Sequence, residues 1–283
     1  MSKAKWLLLA AVMIAIIVGG YLWWRGETAP PPAPPPPTPE PRAEAPPAAE
    51  PPAPPPPEAQ VQHPIETAQQ QLESESTGGG TEATTLSLDE SDPVMQEALA
   101  GLFGAQAPAQ FFYVSDLVRR LVVTVDNLPR RQVASQLFPM KPPGGAFITR
   151  GAEGNVTLGP ENYARYAPYV RLVQSANPKQ VVAVYVRLYP LFQQAYQDLG
   201  YPKGYFNDRV IEVIDHLLAA PEVTGPIRLT QPRVLYQFED PQLEALSAGQ
   251  KLLIRMGSDN AAKVKSFLRG VRQALTGQQL PPQ

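Results

Sequence analysis

The stretch "YFNDRVIEVIDHLLAAPE", residues 205–222, places Asp208, Glu212, Asp215 and His216 within nine positions of a chain that has only two histidines. Wound at about 100° per residue, Asp215, Asp208, Glu212, His216 and Arg209 share an arc of roughly 120°. Val210, Ile211, Val213, Ile214, Leu217 and Leu218 fill the remainder. This partition predicts an amphipathic helix over 207–219, its apolar side against a core and its charges in water. Asn207 and Asp208 suit the start of such a helix, where a short polar side chain caps free N–H groups and an acid meets the positive end of the dipole.

The same periodicity recurs on both sides. Leu117, Leu121, Val125 and Leu128 form one stripe, and Val181, Tyr185, Leu188, Phe192, Tyr196 and Leu199 a second. Val264, Phe267, Leu268, Val271 and Leu275 form a third. Asp92-Pro93, Asn177-Pro178 and Asp240-Pro241 each set a capping residue before a proline that fits the first helical position. Helices are expected near 92–103, 112–127, 130–137, 160–174, 178–199, 207–219, 241–256 and 259–275, the fifth kinked at Pro190. "AFITRGAEGNVTLG" reads as a hairpin around 151–154, and "IRLTQPRVLYQF" as two short strands interrupted by Pro232. The fold class is therefore mainly α with minor β-hairpin elements, in one domain over 91–276 followed by a short tail over 277–283.

What precedes that domain is of another kind. Residues 6–24, "WLLLAAVMIAIIVGGYLWW", are uncharged and mostly apolar, which at about 1.5 Å per residue covers a hydrocarbon core of roughly 30 Å. Trp6, Tyr21, Trp23 and Trp24 suit the two interfaces, and Lys3 and Lys5 put residues 1–5 on the cytoplasmic side. The expected product is a single-pass anchor in a bacterial inner membrane with the C-terminal domain in the periplasm. The competing reading, a cleaved signal peptide, is opposed by the length of the run and by its bulky aromatic end.

Residues 25–90 read as linker. Seventeen of the thirty residues from Ala29 to Glu58 are proline, among 35 in the chain, and proline excludes both helix and sheet. Extended as polyproline II, that stretch reaches about 90 Å. The polar residues after it, with Gly78, Gly79 and Gly80 and with His63 beside Pro64, are expected to stay unfolded.

Composition excludes several functions. No cysteine is present, which removes disulfides, thiolate nucleophiles and cysteine-bound metals. Residues 91–283 carry twenty Lys/Arg against fifteen Asp/Glu, too slight an excess for a nucleic-acid surface. G-x-S-x-G, S-x-x-K and the phosphate-binding G-x-x-x-x-G-K-[ST] are all absent from residues 91–283.

Two constellations remain. Glu212 and His216, four apart on one helix face, have the spacing of an acid/base pair, set against the plainer reading of a solvated face. They match neither zinc motif built on H-E-x-x-H or H-x-x-E-H, so no metal and no cofactor is expected. Hydrolysis by paired carboxylates needs no local motif, and Glu161, Glu212 and Glu244 are its first candidates. The second constellation is aromatic. Tyr163, Tyr166 and Tyr169 interleave with Arg165 and Arg171, and Tyr201 and Tyr205 lie in the loop "LGYPKGYFND". Tyr and Arg are enriched at binding hot spots, and half-buried packing explains the same spacing.

The runs "VRLYPLFQQAYQDLGYP", "YFNDRVIEVIDHLLAAPEV" and "QPRVLYQFEDPQLEALSAGQKLLIRMG" resemble a bacterial family known as domain of unknown function 3014. The resemblance covers most of residues 90–275 and implies a membrane-anchored protein of double-membraned bacteria with a proline-rich tether. It implies no reaction, ligand or catalytic residue. The expected function is a non-enzymatic binding or scaffold role toward an envelope protein or cell-wall component. The rivals are a carboxylate-dependent cell-wall hydrolase and a transducer spanning the periplasm in the manner of TonB.

Overall fold

The computed structural model describes residues 61–75, 86–133, 135–152 and 154–278. The expected anchor at 6–24 and the proline-rich stretch lie outside the described residues. No helix among the described residues is long and apolar enough to cross a membrane.

Eleven helices and one small sheet make up this part of the chain. In chain order they are α1 (Ile65–Glu75), α2 (Ser91–Phe103), α3 (Ala107–Phe111), α4 (Leu117–Asn127), β1 (Thr149–Arg150) and β2 (Val156–Leu158). There follow α5 (Glu161–Ser175), α6 (Pro178–Arg187), α7 (Tyr189–Asp198), α8 (Phe206–Leu218), β3 (Arg228–Thr230) and β4 (Gln237–Phe238). The chain closes with α9 (Pro241–Ala245), α10 (Ala248–Arg255) and α11 (Ser258–Thr276).

α8 is the central element because it is apolar on two sides. Ile211, Ile214 and Leu218 join the main core with Leu117, Val118, Val122, Val182 and Phe192. Val213 and Leu217 face a second cluster with Leu253 and Met256. Aromatic packing supports its start: Phe206 stacks with Phe192 at 6.1 Å between ring centres and meets Tyr196 at 5.3 Å. The sheet runs β1-β2-β3-β4, all antiparallel. One side of it buries Leu158, Leu229 and Phe238 against Ile227 and Ile254.

Two of the three expected caps form as read. The Asn177 side chain accepts from Lys179 N at 2.9 Å, and that of Asp240 from Gln242 N at 2.8 Å. Asp92 acts elsewhere. α2 begins one residue earlier, and the Asp92 carboxylate accepts from Asp116 N and Leu117 N at 2.8 and 2.9 Å, capping α4 instead. Asp116 itself holds φ +53°, a conformation that aspartate tolerates better than most residues.

The kink expected in 178–199 is a break between α6 and α7 at Leu188, because Pro190 has no N–H to give to the carbonyl four residues before it. The helix expected over 112–127 starts five residues late. Phe112 pairs with Met140, and Tyr113 N donates to Pro139 O at 2.8 Å, so this stretch is extended. No α-helix forms at 130–137 among its described residues, where a single 3-10 turn covers Ser135–Leu137. The carbonyls of Leu128 and Arg130 are engaged by Gly249 N and Ala248 N. The helix expected over 241–256 is two, because Ser247 and Gln250 form a capping box that starts α10 afresh.

The largest correction lies before residue 86. The expectation of unfolded linker throughout 25–90 fails at α1, where Ile65 and Ala68 are buried in the main core. His63 is half-buried, not free in solvent. α1 packs on α6 and α11, and three apolar residues at helical spacing, Ile65, Ala68 and Leu72, suffice for that contact.

Candidate functional site

The acid cluster on α8 does share a face, yet each member turns to a different partner. Asp208 Oδ2 and Oδ1 accept from the backbone N–H groups of Gln62 and His63 at 3.0 and 2.7 Å. Glu212 accepts from Arg209 Nη1 at 2.8 Å and remains 64% exposed. Asp215 takes Arg272 of α11 at 2.5 and 3.1 Å. His216 Nε2 lies 2.8 Å from Ser247 Oγ, the capping hydroxyl of α10, and Gln250 Nε2 donates to the His216 carbonyl. Glu212 and His216 therefore do not engage each other. One joins a surface ion pair and the other ties α8 to α10.

The carboxylates named for hydrolysis are no closer to a catalytic arrangement. A retaining or inverting pair needs one acid raised toward neutrality and both facing one cleft. The Arg150 guanidinium, bonded to Glu161, holds that carboxyl below its ordinary value. Burial acts to raise Glu244, but Lys251, the Phe238 N–H and the Arg255 charge outweigh it, so this carboxyl too lies low. Glu161 sits at the start of α5, Glu212 on α8 and Glu244 on α9, each with its own cation. Among the described residues no group of three or more His, Asp or Glu is placed to hold a metal ion. A cavity of about 20 Å³ beside Lys265 and a groove of about 420 Å³ between α1, α6 and α11 both lie away from Glu212 and His216.

The tyrosine and arginine candidates are largely engaged inside the molecule. The Tyr163 ring lies against Gly257, whose φ of +86° and ring contact would place a Cβ 2.7 Å from it. Arg165 donates to the carbonyls of Pro143, Gly144 and Gly145 and to Asn162 Oδ1 at 2.9–3.2 Å, which fixes the loop before β1. Tyr166 packs on the Val213 and Leu217 cluster. Tyr169 donates to Lys141 O at 2.9 Å and meets Phe111 edge-on. Burial pushes the hydroxyls of Tyr163 and Tyr169 up. Tyr201 stacks on Tyr196 at 4.6 Å, and the Tyr205 hydroxyl accepts from Ile65 N at 2.7 Å.

Two features escaped the sequence. The first is Asp126, whose carboxylate is 3% exposed and gathers Arg209 Nε at 3.1 Å, Arg130 Nη2 at 2.6 Å and the Tyr201 hydroxyl at 3.3 Å. Its signal was spacing: Asp126 continues the buried series Val118, Val122 at four-residue steps, where an acid is out of place unless paired. The second is the turn between β3 and β4, where Val234 and Leu235 are 85% and 77% exposed. Beside it Phe147 stacks on Tyr236 at 5.6 Å, and Phe147 and Ile148 are themselves exposed.

A family model described as a protein of unknown function (DUF3014) matches residues 117–272, from the first residue of α4 to Arg272 of α11. The chain belongs to the DUF3014 family. No curated protein and no solved structure matches it. The DUF3014 region contains Asp126, Arg209, the whole sheet and α8, and leaves α1 and α2 outside.

Proposed function

We propose that this chain is the tethered binding head of a cell-envelope protein: anchored in the inner membrane through 6–24, carried on the proline-rich linker, and working in the periplasm without catalysing a reaction. The observation that carries the reading is the turn between β3 and β4. Two aliphatic side chains held out in water at the end of a sheet, beside the exposed Phe147 stacked on half-buried Tyr236, form an apolar patch of the sort that marks a contact site. Arg233, also exposed, adjoins them, and an Arg beside aliphatic and aromatic groups is the composition of an interface centre. The engagement of Glu161, Glu212 and Glu244 in separate ion pairs favours binding over hydrolysis.

The test is photo-crosslinking in intact native cells from a residue placed at Val234 or Leu235. A discrete adduct with an envelope component, lost when Leu235 is replaced by Glu with Val234 carrying the probe, is the expected result. Adducts no different from those of a probe on exposed Lys263 would overturn the reading.

A further inference from the structure

We infer that residues 62–75 are a peptide ligand bound in cis, and that the first turn of α8 with α6 and α11 forms a peptide-binding site for it. The ligand class is a segment that enters through a bend at 62–63 and turns into helix, with an aliphatic residue followed three positions later by alanine. This goes beyond the function proposed above and involves a different surface.

The recognition is directed at main chain. Asp208 accepts from Gln62 N and His63 N, Asn207 Nδ2 donates to His63 O at 2.8 Å, and the Tyr205 hydroxyl accepts from Ile65 N. Three neighbouring side chains thus bind four backbone groups of residues 62–65, so the main chain is read irrespective of most of its side chains. Sequence selectivity comes from two positions. Ile65 is buried, and Ala68 is wholly so, leaving no room for a larger residue. Farther along, Gln71, with its amide turned to satisfy both neighbours, donates to Ala274 O and accepts from Gly277 N at 3.0 and 2.9 Å.

The same features mark the segment as a ligand and not a founding part of the core. Apart from the half-buried Leu72, α1 is otherwise polar, "IETAQQQLESE", and Ile65 and Ala68 are its only described residues in the buried class. Asn207 is completely buried, yet its Oδ1 has no partner while the segment is in place. An unpaired buried acceptor opposes burial, and water reaches it once the segment leaves. The clamp residues Tyr205, Asn207 and Asp208 are part of the family region and their occupant is not, since α1 precedes residue 117.

The experiment uses the full-length chain with a protease site introduced between Glu75 and Leu86, cleaved after purification, and a fluorescent peptide of residues 61–75. Uptake is followed by anisotropy, and thermal unfolding checks that the remainder stays folded. Saturable uptake that displaces the severed segment is expected, with affinity lowered at least ~10-fold by Asp208→Ala, because charge-assisted bonds to two N–H groups are lost. An Ala68→Leu peptide is expected not to compete. The inference is overturned if a folded, cleaved protein takes up no peptide, or if uptake accompanies loss of cooperative unfolding. It is equally overturned if Asp208→Ala and the Ala68→Leu peptide behave as the originals do.

Discussion

Asp126 of α4 and Arg209 of α8, 83 positions apart, are joined twice: Arg209 Nε donates to the Asp126 carboxylate at 3.1 Å and Arg209 Nη2 to its carbonyl at 2.7 Å. The acid is 3% exposed and the guanidinium 18%. A charge so placed is tolerable only because Arg130 and Tyr201 complete its shell. The pair ties α4 to α8 through both side chain and main chain.

Asp126→Ala should therefore lower unfolding stability by about 3 kcal/mol, since it removes the buried acceptor shared by Arg209, Arg130 and Tyr201. Chemical denaturation of the single variants and of Asp126→Ala with Arg209→Met measures the coupling. The double variant is expected to be more stable than the sum of the singles by more than about 1 kcal/mol. Additive losses would show that the two groups act independently.

Asp92→Ala should cost about 1 kcal/mol, the usual worth of an N-cap. The location of the loss is the sharper prediction. Because Asp92 accepts from Asp116 N and Leu117 N, hydrogen exchange should quicken at the first turn of α4 and not at that of α2, where the residue itself lies. Faster exchange confined to residues 91–95 would contradict the assignment.

The helical class, the α8 stripe and both short β pairs were legible because they depend on neighbours in sequence: period, cap, turn residue. The breaks at Leu188 and Ser247 were half-legible. Pro190 was visible, whereas the Ser247 capping box was masked by the apolar run on either side. What could not be read was long-range. Nothing local to Phe112 announces its pairing with Met140, and nothing local to Leu128 and Arg130 says that their carbonyls serve α10. α1 was hidden by its polarity, because its helix is held by a clamp 140 positions away. The candidate acids were found by type, but apart from the Glu212–Arg209 pair within α8 their partners lie on other segments, which no local pattern names.

Val234→Asp with Leu235→Asp should leave stability unchanged within about 0.5 kcal/mol, as befits side chains already in water. The same change should abolish the crosslinks expected from a probe at exposed Arg233. A large loss of stability would instead make the turn a packing element, which denaturation detects directly.

Glu244 provides a pH dependence whose sign follows from its surroundings. Its carboxylate takes Lys251 Nζ at 2.8 Å and the N–H of Phe238 at 2.9 Å, so it covers a donor on the open edge of β4 while pairing a charge. These interactions outweigh burial and set the folded value below the ordinary 4.5. A carboxyl lowered on folding adds stability that is complete above its unfolded value and is lost as pH falls through the folded one. Glu244→Gln should thus be less stable than the parent by about 1 kcal/mol at pH 7. The gap should hold down to the ordinary value of 4.5 and close below it. Urea titrations of both proteins from neutral pH into the acid range measure this, and a gap that widened on acidification would reverse the assigned sign.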